Sequence, residues 1–135
     1  DLLRLSVNYL DAAGKPLDVK SLKQGTEFTA VVTVRNSVEQ SFTDLALLQV
    51  FPSGWEIFNE RLTGTQSAAE AYNYRDIRDD RVLTYFNLGA GQSATFRARL
   101  QAAYRGNYYL PAVSCQAMYE PREQARTSGI WVEVR

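Results

Sequence analysis

Histidine is missing from all 135 residues. Its absence removes Ser-His-Asp and Cys-His catalysis and the commonest zinc ligand together. Cysteine occurs once, at Cys115, so no internal disulfide can form, although that alone does not decide the compartment. Charge of one sign is also lacking: fifteen basic residues meet fifteen acidic ones, which leaves no electrostatic footprint for nucleic acid or an anionic membrane. No apolar run approaches the roughly 20 residues a membrane helix needs, and no signal sequence is visible. The chain opens at Asp1 without a methionine, so we expect a piece excised from a longer precursor, its targeting signal left behind. No cofactor, no metal and no catalytic activity are expected.

What is present is alternation. Hydrophobic residues make up 45% of the chain and charged residues 22%, a balance that places it with folded globular proteins rather than disordered ones. Leu3, Leu5, Val7 and Tyr9 alternate with Arg4, Ser6 and Asn8, and Phe28, Ala30, Val32 and Val34 alternate with Thr29, Thr33 and Arg35. The same period of two runs through Phe96, Ala98, Leu100 and Ala102, and again through Ile130, Val132 and Val134 around Trp131 and Glu133. Denser apolar strands are expected at Leu45 to Phe51 and Arg81 to Leu88. Turns are expected at Ala13 to Pro16, Pro52 to Gly54, Gly89 to Gly91 and Arg105 to Asn107. Leu110 to Ala117 reads as one further strand. The fold class is all-β: an antiparallel β-sandwich of about seven to nine strands in a single domain, residues 1–135. One short helix is expected in the 63–76 connection, where Ser67 to Tyr74 is rich in helix formers.

The charged run from Arg75 to Arg81 holds Asp76, Asp79 and Asp80. Clustered carboxylates suit calcium, but the glycine and closing glutamate of an EF-hand loop are missing, and the interleaved arginines are natural partners for the same carboxylates. A salt-bridged strand entry is the expectation. The other acidic residues fall on turns and polar strand faces, with no apolar pocket implied for the paired carboxylates of a glycosidase. Ser21 and Lys23 lie in a polar connection without a nucleophile elbow. Cys115 shares one strand face with Val113 and Ala117, as a small buried hydrophobe would. Tyr104, Tyr108, Tyr109 and Tyr119 cluster late, without the basic groove a stacking platform for single-stranded nucleic acid would require. Exposed Trp55 or Trp131 would suit a carbohydrate- or protein-binding module of a bacterial surface protein.

Three segments in a fixed order carry more: Arg78-Asp-Asp-Arg-Val-Leu-Thr-Tyr-Phe86, Gly106-Asn-Tyr-Tyr-Leu-Pro-Ala-Val113 and Ala117-Met-Tyr-Glu-Pro121. With Leu22-Lys-Gln-Gly25 and the turn Pro52-Ser-Gly-Trp-Glu-Ile57, this pattern resembles the C-terminal macroglobulin-like (MG10-type) domain of bacterial alpha-2-macroglobulins. The resemblance implies a macroglobulin/immunoglobulin-like sandwich that is a fragment of a larger protease-trapping chain of the periplasm or cell envelope, part of a membrane-anchored lipoprotein. It implies a non-catalytic interaction domain that packs on a thioester domain and shields it through a Met-Tyr pair, by position Met118 and Tyr119. The partners implied are the other domains of the parent chain and, through the full-length protein, target proteases, with no nucleic acid and no direct membrane insertion. A thioester joins a Cys to a Gln three residues later; three residues after Cys115 stands Met118, so this segment does not carry one. Pro121 lacks an N–H and is expected to end strand pairing, which places Met118 and Tyr119 at a sheet end with at least one of them exposed. The alternative for this pair is plain packing beneath the Glu120-Pro121 turn.

Overall fold

The period-two runs become strands, and shorter strands fill the gaps between them. The computed structural model describes residues 3–59 and 72–135, with only the backbone described at 120–123. In chain order the strands are β1 (Leu3–Asp11), β2 (Ser21–Leu22), β3 (Glu27–Asn36), β4 (Phe42–Val50), β5 (Trp55–Ile57), β6 (Tyr74–Ile77), β7 (Arg81–Leu88), β8 (Ser93–Ala102), β9 (Gly106–Leu110), β10 (Ser114–Ala117), β11 (Glu120–Arg126) and β12 (Ile130–Val134). They form a four-stranded sheet β1-β3-β8-β5, a five-stranded sheet β11-β10-β4-β7-β6 and a three-stranded sheet β2-β12-β9. Among the described residues every strand pairing is antiparallel except β2 with β12, which is parallel.

Alternation along β3 and β8 turns Phe28, Ala30, Val32, Val34, Phe96 and Leu100 into the interior. Burying one such large side chain contributes roughly 1.5–3 kcal/mol. The interior divides into two apolar clusters. One gathers Phe28, Phe51, Trp55, Val82, Leu100, Val132 and Val134, with the Phe28 and Trp55 rings edge to face at 4.9 Å. The other gathers Leu3, Val32, Leu45, Leu47, Phe86, Phe96 and Cys115, and the Phe86–Phe96 contact at 4.7 Å joins the two larger sheets. Between the clusters, at the inner positions of β4 and β7, lie the buried polar residues Gln49 and Thr84.

The turn before β5 docks on the connection from β8 to β9. Ala103 N–H and Tyr104 N–H both donate to the Gly54 carbonyl, at 2.8 and 3.0 Å. The Tyr108 hydroxyl lies 3.0 Å from the carbonyl oxygens of Tyr104 and Arg105, a tyrosine tying its own strand back to the preceding turn. Its ring fills the space in which a β-carbon on Gly54 would stand.

Two sequence expectations are corrected, and a third falls mostly outside the described residues. Among the described residues twelve strands stand where seven to nine were expected, because β2, β5, β6 and β10 run for only two to four residues each. The helix expected within 63–76 falls largely on residues 60–71, outside the described residues, and Tyr74 to Asp76 at its end belong to β6. The strand expected over Leu110 to Ala117 is two strands in different sheets. Pro111, with no N–H for a ladder, starts the crossing, and Ser114 resumes pairing beside β4.

Candidate functional site

Met118 and Tyr119 form the two-residue turn between β10 and β11, with Ala117 paired to Glu120 across its base. Both side chains point away from the interior: Met118 is 50% exposed and Tyr119 81%. The exposure expected of at least one of them is found for both. Contrary to the expectation that it would end strand pairing, Pro121 lies within β11 (Glu120–Arg126). It sits in edge strand β11 where the ladder slips, with Gln116 paired to Gln124 but Ala117 to Glu120. An edge strand at a bulge is where a residue without an N–H is tolerated.

The turn is held from below by β4. Phe42 pairs with Leu88 and Leu45 with Phe86, so Thr43 and Asp44 together face the single residue Asn87: a β-bulge. Asp44 stands at φ 56°, a left-handed conformation that Asp and Asn tolerate better than most residues. Its N–H donates to Asn87 Oδ1 at 3.0 Å, and its carbonyl accepts the Met118 N–H at 3.0 Å. Sequence reasoning missed Asp44 and Asn87; the only local sign was an aspartate just ahead of the apolar run from Leu45.

The other candidates resolve into structural roles. In the charged run, Arg78 bonds Asp76 at 3.0 Å and Arg81 bonds Asp80 at 2.9 Å, the salt-bridged strand entry expected. The Arg81 hydrogen bonds hold the Asp80 carboxyl below its ordinary range. Among the described residues no group of three Cys, Asp or Glu is gathered closely enough to hold a metal ion. Cys115 is fully buried beside Val113 and Ala117, and burial pushes its thiol up to about 12. Trp55 is buried, which removes it as a surface platform for a sugar. Trp131 is 70% exposed and meets Tyr109 edge to face at 5.5 Å.

The family described as Bacterial Alpha-2-macroglobulin MG10 domain matches residues 3–122. The alpha-2-macroglobulin of Rickettsia conorii is 25% identical over 130 residues, which cover 92% of this chain and 7% of that protein. The alpha-2-macroglobulin homolog of Yersinia pestis is 25% identical over 154 residues, covering 94% of this chain and 7% of its own length. Among solved structures, the native conformation of Escherichia coli alpha-2-macroglobulin superposes with a TM-score of 0.89 at 21% identity, over 100% of this chain and 9% of that one. At that identity the likeness speaks for the fold. This chain therefore spans a small fraction of the length of the proteins it matches, and it belongs to the bacterial alpha-2-macroglobulin MG10 domain family.

Proposed function

We propose that this chain is a non-catalytic interaction domain of a bacterial alpha-2-macroglobulin-like protease-trapping protein, and that Met118 and Tyr119 cover the thioester of a neighbouring domain. The observation that carries the reading is the joint exposure of these two side chains at one tight turn. A thioester is lost to hydrolysis when water reaches it, so its protection is a matter of excluding water. A polarizable thioether and a flat phenol cover such a group while the phenol hydroxyl keeps a hydrogen-bond partner. In this reading the partners are the other domains of the parent chain and, through the complete protein, the proteases it traps. The setting is the periplasm or cell envelope, with the parent held as a membrane-anchored lipoprotein.

The test is the Met118→Ala/Tyr119→Ala double variant of the full-length protein. Reactivity toward methylamine is expected to be lost faster than in the parent, while the stability of the domain changes by less than about 0.5 kcal/mol because both residues are exposed. Unchanged methylamine reactivity would sink the shielding role. A second reading, glycan binding, has the exposed Trp131–Tyr109 pair in its favour; glycan-array binding abolished by Trp131→Ala would establish it in place of the first.

A further inference from the structure

The Met118–Tyr119 turn is useful as a cover only if it is presented at a fixed place, and a two-residue turn at the end of a four-residue strand has little of its own to fix it. The β4–β10 ladder runs from Ser114 paired with Leu48 to Ala117 paired with Leu45. It gains one more bond, from Met118 N–H to the carbonyl of Asp44, the residue that continues this register and stands in the bulge of β4. The bulge in turn leaves the Asp44 N–H without the ladder acceptor a regular pairing would supply, since Thr43 and Asp44 share one opposite residue. Asn87 supplies the acceptor from its side chain. Three groups thus stand in series across three adjacent strands: the Asn87 amide oxygen on β7, the left-handed Asp44 on β4, and the Met118 N–H at the start of the turn. The first turn residue is fixed by its backbone, and the second, Tyr119, projects at 81% exposure.

We propose that Asn87 is a positioning residue for the Met118–Tyr119 turn, acting through the left-handed bulge at Asp44. The inference deepens the shielding reading and rests on it for its functional meaning, but its geometry stands on its own. Asn87 and Asp44 are both exposed, so replacing them empties no space in the core. Asn87→Asp retains an oxygen that accepts the Asp44 N–H, whereas Asn87→Ala does not. Asp44→Gly keeps the left-handed conformation without steric cost, whereas Asp44→Val opposes it.

Amide hydrogen exchange of this chain, followed residue by residue by NMR, is the test. In Asn87→Ala and in Asp44→Val the Met118 amide should exchange about tenfold faster or more, while Ser114 to Gln116 keep their protection, as befits a local opening. Asn87→Asp and Asp44→Gly should hold the Met118 amide within about threefold of the parent rate. A Met118 amide that stays protected in Asn87→Ala, a failure of Asn87→Asp to preserve it, or an equal acceleration along all of β10 would each overturn the proposal. The functional reading is separated by the full-length protein. If Tyr119→Ala leaves methylamine reactivity unchanged while the exchange pattern is as expected, shielding fails and positioning stands; if shielding holds, Asn87→Ala but not Asn87→Asp should speed the loss of reactivity.

Discussion

Asn36 and Gln49 are both buried amides, yet they stand in opposite circumstances. Asn36 Nδ2 donates to the carbonyls of Gln40 at 2.7 Å and Gly89 at 3.1 Å, and its Oδ1 accepts the Val38 N–H at 3.1 Å, so one side chain ties two loops together. Gln49 has neither amide atom bonded to a protein group, and neither is the Thr84 hydroxyl beside the same seam between the two apolar clusters. A buried polar atom without a partner costs about 1–3 kcal/mol, and removing it in favour of an apolar group of like shape recovers part of that. Gln49→Met with Thr84→Val is therefore expected to raise the unfolding free energy by about 1 kcal/mol or more, read from urea denaturation with an unchanged slope. A loss of stability in the double variant would show that these two side chains are satisfied in solution.

At the scale of elements, the docking of the β5 turn on β9 is a demanding contact. The Tyr108 ring occupies the place of a Gly54 β-carbon, and the ring is itself tied by its hydroxyl to the preceding turn. Gly54→Ala should cost about 1–3 kcal/mol by overpacking, measured as a lowered midpoint of thermal unfolding; an unchanged midpoint would mean the turn moves aside. Much of this architecture was legible in the sequence, because β1, β3, β8 and β12 are long enough for period two to declare itself. β2 and β5 were not, since two or three residues hold no period. β9 does alternate, with Tyr108 and Leu110 inward and Asn107 and Tyr109 outward, but the glycine and proline at its borders read as turn. Met118 and Tyr119 could be singled out only through a family resemblance, for nothing local distinguishes them from packing residues. The bulge that supports them was invisible, because Asp44 and Asn87 are 43 residues apart and meet only once β4 and β7 pair.

For the molecule as a whole, a buried thiol and a partly buried phenol set a limit at alkaline pH. Burial pushes the Cys115 thiol and the Tyr9 phenol each up to about 12, from ordinary values of 9.0 and 10.0. Both are neutral when protonated. As pH rises past 9 the unfolded chain releases the Cys115 proton while the folded chain keeps it, so the folded state binds more protons and stability falls with pH. The contribution is intact below pH 9, is eroded between there and 12, and Tyr9 adds to the decline above 10. By pH 10.5 the thiol alone accounts for about 2 kcal/mol. In Cys115→Ala the plot of unfolding free energy against pH should flatten between 9 and 10; an unaltered slope would assign the decline to other groups. The parallel pairing of β2 with β12 has a consequence of another kind, in the order of folding. Ser21 and Glu133, whose side chains meet at 3.1 Å, are separated by 112 positions, and closing a loop of that length costs about 4 kcal/mol of chain entropy. Val132 and Val134 complete the first apolar cluster from that same strand. β12 itself pairs with β9 across only 20 to 28 positions, so the long closure belongs to the docking of β2 on β12, and pairing of such range is expected to place folding in the slow range of about milliseconds to seconds.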